Sequence, residues 1–476
     1  MKHLFSYITI GFLLISTAQA QKKWSLEECM DYALRHNLQM QQADLNIMLA
    51  EQDLFQSKAD ILPDLNLSAS HGYNWGQTID PFTNTFATDR VRSNNISLNT
   101  GVAVFNGFQK INTIKQSEIE NQISLKDKEQ LEFELQINVM SAFLQLLMAV
   151  EQEKISANQY EATQKQLERV EKLVNAGTLP EINKFDIEAQ LANDEFLNIS
   201  DKNQVELARL NLVQTLQLSF EEAENFDILI PDIEELRDYN LPLSAGLIYD
   251  EAKMHVPDIR SKELAKLSAE KQYQIARGGR LPSLNVNAAI GSGYSGRNQE
   301  AVGSPEFVGY DTIGFTQNFD PVLQENFQQD MRTKPFSDQL NDNFNRSLSF
   351  TLNIPIFNGW AVSSNIKRAK IQKISANLDY ELSKNDLLQD ITRVLADARA
   401  AQSRYRAAQK SYESTLVSYE FAETRFNQQL INQVEFFDIQ MRYFNAQASL
   451  VNAKYEYLFR TVILDFYKNG NVDLPF

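Results

Sequence analysis

The segment Val104-Phe105-Asn106-Gly107-Phe108 returns almost unchanged as Ile356-Phe357-Asn358-Gly359-Trp360, 252 residues further on. Before each copy, apolar and polar residues alternate with the period of two that marks a strand. After each copy runs a helical pattern of about sixty residues with no proline in it. The chain therefore spells strand, Asn-Gly turn and very long helix twice. Two homologous halves must make one body, which constrains the fold more than length or composition does.

The first twenty residues read as an export leader, expected to be removed so that the mature chain begins at Gln21. Lys2 and His3 give a basic start, residues 8–15 an apolar run too short to span a bilayer, and Ala18-Gln19-Ala20 a cleavage site. Cys29 is the only cysteine, so no disulfide forms within one chain; its place after the first mature residue speaks against a lipid anchor. No later stretch holds eighteen consecutive apolar residues, so no transmembrane helix is expected. A membrane barrel stays open, because its strands leave only a weak hydropathy trace. The formal charge of −17 becomes more negative when Lys2 leaves with the leader. That argues against nucleic acid as a partner, since a phosphate binder needs a basic face.

The first repeat is expected over residues 21–244. Ser25 and Glu28 form a capping box, and Trp24 can staple onto Cys29, at the start of a helix that runs toward Ala59 and stops before Leu62-Pro63. Strands are expected at about 64–75 and 95–105. Leu65, Leu67, Ala69, Tyr73 and Trp75 share one face, while Asn66, Ser68, Ser70, Gly72 and Asn74 share the other. A small, polar face suits a water-filled lumen, and the Tyr73/Trp75 pair an interfacial girdle. The helix from about 110 to 176 is, at about 1.5 Å per residue, about 100 Å long. It breaks at a tip over residues 175–181, with Gly177 past its end and Thr178 and Glu181 set to box the return helix. An acidic linker with Pro231 and Pro242 covers about 219–244.

The second repeat, 245–476, has the same plan: a helix to about Arg280, Leu281-Pro282, and strands near 283–294 and 347–357. A long helix, a tip at about 427–433 and a return helix to Phe466 complete it. Between its strands lies a longer loop, about 296–345, rich in Gly, Pro, Asn and Phe, expected to project away from the helices. Asp186 and Asp438 stand at matching places after the two tips.

Chemistry is nearly absent. His36, His71 and His255 lie far apart without ligand spacing. Gly291-Ser292-Gly293-Tyr294-Ser295-Gly296 matches a dinucleotide-binding pattern, yet Arg297-Asn298-Gln299 and the Gly and Pro beyond them do not open a helix, and glycine at a strand end is the better reading. No enzyme, metal or cofactor is expected. Four strands per chain cannot close a barrel, and lipid tolerates no open edge. Strands placed in a membrane must therefore be shared among chains, with dimers and trimers both allowed by counting.

The duplicated helix–strand–strand–helix plan, both Phe-Asn-Gly joints, the Leu-Pro joints and the tips resemble the TolC-like outer-membrane efflux family, from Trp24 to about Tyr467. That resemblance implies a mostly α fold with a membrane β-barrel portion. Three chains would share a twelve-stranded barrel, continued by a long α-helical periplasmic barrel. It also implies a homotrimer in outer-membrane lipid that docks to a periplasmic membrane-fusion adaptor and an inner-membrane pump, RND-type or ABC-type, for efflux or type I protein secretion. By the same resemblance Gly177, Thr178 and Leu179, with Gln429, Leu430 and Ile431 in the second half, are adaptor-contact tips. Gln429 stands where the family carries glycine, and Ile431 where arginine is common. Glu435 and Asp438, with Asn183 and Asp186, fall near the family's constriction, where three copies would ring an axis with carboxylates and favour cations. Asn432 and Glu435 equally read as a helix cap, and a periplasmic coiled-coil scaffold without a pore is the reading from another class.

Overall fold

The structure, a computed structural model, describes residues 23–80, 82–87, 90–230, 241–242, 244–428 and 430–470. The expected leader, Pro231 and Gln429 lie outside the described residues. The first half contains β1 (Lys23–Trp24), α1 (Leu26–His36), α2 (Leu38–Ala59), β2 (Asp64–Asn74), β3 (Thr78–Ile79), β4 (Phe86–Ala87) and β5 (Val91–Asn106). It continues with α3 (Gln109–Asn175), α4 (Ile182–Leu216), α5 (Phe220–Glu224) and β6 (Asp227–Ile228). The second half contains α6 (Ala245–His255), α7 (Pro257–Gly278), β7 (Ser283–Ser295), β8 (Gln299–Phe315) and β9 (Pro321–Thr333). It ends with α8 (Phe336–Asp342), β10 (Asn345–Asn353), α9 (Ala361–Asn427) and α10 (Gln433–Asn469).

The duplication reappears in the elements: α3 and α9 are 67 residues each, α1 and α6 are 11, and α2 and α7 are 22. Two expectations are corrected. The opening helix of each half is not continuous. Val256 is pushed to an extended conformation by Pro257. Asn37 makes the same break without proline, its side-chain oxygen accepting from the Gln39 N–H at 2.7 Å. The stretch 296–345 is not an open loop either. β8 and β9 pair antiparallel over most of their length, and α8 comes after them.

By contacts the chain divides into two compact units. The helical unit comprises Met1–Glu51, Ile119–Leu267 and Ile374–Phe476. The segment leading into α1 is tied down by the parallel pair β1–β6 and a 3.0 Å Lys23–Asp227 ion pair. The capping box forms: Ser25 Oγ accepts from Glu28 N at 3.2 Å, and Ser25 N donates to the Glu28 carboxylate at 3.1 Å. Trp24 packs edge-on against Tyr32 and tilted against Phe226. Cys29 is fully buried in the apolar core.

That core gathers Val139, Met140, Phe143 and Leu147 of α3 with Leu212 and Leu216 of α4, Ile391 and Leu395 of α9, and Leu458 and Phe466 of α10. The Phe133 and Phe466 rings stack at 4.4 Å. Each such buried side chain stabilises by about 1.5–3 kcal/mol. An eighteen-residue stretch of α3 is in fact apolar enough to pass for a membrane span by composition; its large side chains are spent on this core. Nearer the tips the α3–α4 seam turns polar. Asp194 is buried there and accepts from Gln159, Thr163 and Gln190 at 2.7–2.8 Å.

The strand unit comprises Gln52–Glu118 and Ser268–Lys373. Its main sheet is antiparallel, in the order β10-β7-β5-β2. At both Asn-Gly joints the glycine and the following aromatic take left-handed φ: +67° at Gly107 and +65° at Phe108, +62° at Gly359 and +66° at Trp360. A Cβ on Gly107 would also lie 2.3 Å from Gly278 O, so two backbones meet there, whereas Gly359 faces open space.

Candidate functional site

Two places in the molecule combine the residues singled out by the sequence: the four-stranded sheet and the paired helical tips. In the sheet, Leu67 lies beside Leu98, Leu98 beside Ile290, Val102 beside Val286, and Val286 beside Phe350. On the other face Ser68 lies beside Ser97, Asn66 beside Asn99, and Asn287 beside Ser349. Register thus carries the alternation of each strand across all four, giving one apolar and one hydroxyl- and amide-lined surface. Within the chain the apolar surface is uncovered: Leu67 is 73% exposed and Phe350 67%. β2 and β10 are edges with no further partner among the described residues. In water such a sheet would leave a greasy face wet and two ladders unpaired. With lipid on one face, water on the other and copies at both edges, every group is satisfied.

Glycine is needed within the polar face for space. Gly101 sits between Asp64 and Asn287, and its N–H donates to Asp64 Oδ1 at 2.7 Å. Gly291 and Gly293 belong to β7, which ends at Ser295; a turn and strand β8 come next, so no dinucleotide-binding helix opens.

At the tips, α3 ends as expected with Gly177 in the left-handed region at φ +74°. Its N–H donates to Val174 O at 2.8 Å and that of Thr178 to Leu173 O at 2.9 Å, the paired closure of a Schellman end. The second tip repeats the longer bond: Leu430 N donates to Arg425 O at 2.9 Å, 252 residues on from the first. The expected box between Thr178 and Glu181 does not form. Thr178 Oγ1 instead donates to Leu173 O at 2.7 Å, and Glu181, itself helical, makes no side-chain cap. Asn432 does cap its helix, accepting from Glu435 N at 2.8 Å.

Thr178, Asp186, Leu430, Glu435 and Asp438 are exposed, Leu179 and Asn183 half-buried, and Ile431 buried against Ala422 and Phe436. The two tips are bound together. Gln433 Nε2 donates to Asn183 O at 2.9 Å, and Arg169 bonds Asn427 while its guanidinium lies 5.6 Å over the Phe426 ring. A cavity of about 200 Å³ between them is lined by Leu173, Leu179, Phe426 and Ile431. Asp438 pairs with Arg442 one turn on, so its charge is partly offset within the chain.

Sequence reasoning missed this latch of Arg169, Phe426 and Gln433. The equivalence of the tips was readable, but not that they would touch. Missed too was an aromatic ladder above the second tip, Tyr412–Tyr443–Tyr419–Phe436–Phe426, with neighbouring rings 4.6–6.0 Å apart. Burial, then the hydrogen bond with Tyr412, pushes the Tyr443 hydroxyl up to about 12, so Tyr443 stays uncharged at any physiological pH. Among the described residues no group of acids, histidines or cysteines could hold a metal ion.

Comparisons with known proteins agree on one family. The sequence pattern of the family described as "Outer membrane efflux protein" matches residues 30–216 and 248–467. The chain is 21% identical over 459 residues to the outer membrane protein TolC of Escherichia coli, covering 95% of this chain and 83% of that one. In fold it is similar to the CmeC outer membrane channel of Campylobacter jejuni, with TM-score 0.76, 17% identity, and 95% and 87% of the two chains covered. The same holds for VceC of Vibrio cholerae, with TM-score 0.73, 16% identity, and 94% and 95% covered. The chain belongs to the outer membrane efflux protein family, and so to the outer membrane and to channels rather than enzymes.

Proposed function

We propose that this chain is one subunit of a homotrimeric exit duct, through which solutes handed over in the periplasm pass the outer membrane without further energy input. The observation that carries this is the sheet: one exposed apolar face, one polar face and two edges that have no further partner among the described residues. Three copies supply twelve strands, an even number within the range of known barrels. The apolar faces then meet lipid and the polar faces enclose water. The helical unit, with its narrow apolar seam and polar flanks, serves as the staves of a periplasmic tunnel.

In this reading the exposed tip residues Gly177, Thr178 and Leu430, with the half-buried Leu179, with Gln429 next to Leu430 in the sequence and with Ile431 supporting them from within, meet a periplasmic adaptor. That adaptor in turn couples to an inner-membrane pump, RND-type or ABC-type. Glu435 and Asp438, with Asn183 and Asp186, line the constriction. Exposed carboxylates repeated threefold about an axis attract cations and repel anions, with Arg442 moderating the Asp438 contribution. Purified protein in planar bilayers tests this: discrete, cation-preferring conductance steps are expected, and a protein that never conducts would contradict it. Glu435→Ala combined with Asp438→Ala is expected to reduce the cation preference; an unchanged preference removes the acidic ring while leaving the duct.

A further inference from the structure

The connection between β2 and β5 carries a feature that the duct reading does not use. Its small hairpin, β3 paired with β4, is pinned to the main sheet by a buried polar knot. Asp80 is fully buried. One carboxylate oxygen accepts from the Phe82 and Thr83 N–H groups at 2.9 Å each, and the other accepts from Ser295 Oγ at the end of β7. Ser295 and Gln339 are also fully buried. Ser295 N donates to Gln339 Oε1 at 2.9 Å, and Gln339 Nε2 donates back to Ser295 O at 3.0 Å and to Lys334 O at 2.8 Å. Three separate stretches of chain thus converge on one serine, with every polar group of the knot partnered. A loop left free to move in water has no use for so many buried bonds.

The knot holds Phe82 against Gly293. A Cβ on Gly293 would lie 2.0 Å from Phe82 Cζ, so the ring occupies the space that a side chain there would fill. Gly293 pairs with Asn95 and alternates in phase with Asn285 and Asn287, on the polar face of the sheet. Phe82 therefore covers the face that, under the duct reading on which this inference rests, looks into the bore. The hairpin also presents Ile79 and Phe86 as a cross-strand pair, 54% and 72% exposed.

We propose that Phe82, Ile79 and Phe86, held by the Asp80–Ser295–Gln339 knot, form an apolar collar at one end of the bore and set the size and polarity of solutes that pass it. Threefold repetition brings nine apolar side chains around one axis. A constriction of this kind resists wetting and so retards large hydrophilic solutes more than compact apolar ones.

The test is single-channel recording on the full-length protein in planar bilayers, with Phe82→Ala and, separately, Ile79→Ser combined with Phe86→Ser. Both variants are expected to raise unit conductance about twofold. Both are also expected to admit a large hydrophilic glycopeptide antibiotic into cells expressing them, while Phe315→Ala on the neighbouring hairpin changes neither readout. Asp80→Asn, which keeps the size of the side chain and weakens the knot, is expected to show increased open-channel noise. Wild-type channels with unit conductance and antibiotic exclusion equal to those of Phe82→Ala and of the double variant would overturn the collar and leave the duct intact. A wild-type protein without any conductance would overturn the duct, and the collar with it.

Discussion

Gly107 and Gly359 are equivalent in the repeat, yet their surroundings differ. Both sit at left-handed φ, but only Gly107 abuts the Gly278 backbone. Gly359→Ala is expected to cost about 1–2 kcal/mol, the strain of that conformation alone. Gly107→Ala adds a backbone collision, and is expected to prevent recovery of heat-stable protein from membranes; equal yields for the two variants would contradict the close approach. Asp194 makes a second case. Its removal by Asp194→Ala leaves the buried Thr163 hydroxyl and the half-buried Gln159 and Gln190 amides without their acceptor, at about 1–3 kcal/mol, readable as a lower thermal midpoint. At Cys29 burial, with Glu28 adding to it, pushes the thiol up to about 12. The folded protein is therefore expected to resist alkylation at pH 8 and to react only in denaturant. That this cysteine is an apolar contact near the start of a helix was legible from the Ser25/Glu28 cap and Trp24. The role of Asp80 was not, because its partner Ser295, and Gln339 bonded to that serine, lie far away in sequence and nothing local marks them.

At the scale of elements, strand alternation told which residues share a face, since a period of two leaves no choice once pairing is made. It did not tell which strands are neighbours, and the order β10-β7-β5-β2 joins the two halves at β5–β7. The faces can be told apart by charge. Phe350→Arg puts a cation on the apolar face and is expected to impair assembly, at about 2–4 kcal/mol if the site lies near the bilayer midplane. Ser349→Arg, one residue away on the polar face, is expected to assemble normally and to shift ion preference toward anions. Reversed outcomes would exchange lumen and lipid. The break before Pro257 was available from the Val-Pro pair. The matching break at Asn37 was hidden, because an asparagine makes it by a side-chain bond that composition does not announce. The β8–β9 hairpin was hidden by its glycines and bulges, which interrupt the alternation between Val302 and Glu306 and again near Gly309.

For the whole molecule, the repeat made the architecture legible: two long proline-free helices at one spacing, each entered through the same turn. What no single chain can display is closure, since four strands satisfy neither their edges nor their apolar face alone. The latch between the tips, Arg169 with Asn427 and Gln433 with Asn183, holds each subunit's two hairpins together. Arg169→Ala is accordingly expected to raise conductance through the tip if that latch keeps the passage narrow, and to leave it unchanged if the tips separate independently. The central claim, that several copies share one barrel, is tested most directly by native mass spectrometry of the protein extracted from outer membranes in mild detergent. Three chains per particle, with monomer appearing only on denaturation, is the expected result. A water-soluble monomer recovered from the periplasmic fraction would contradict it.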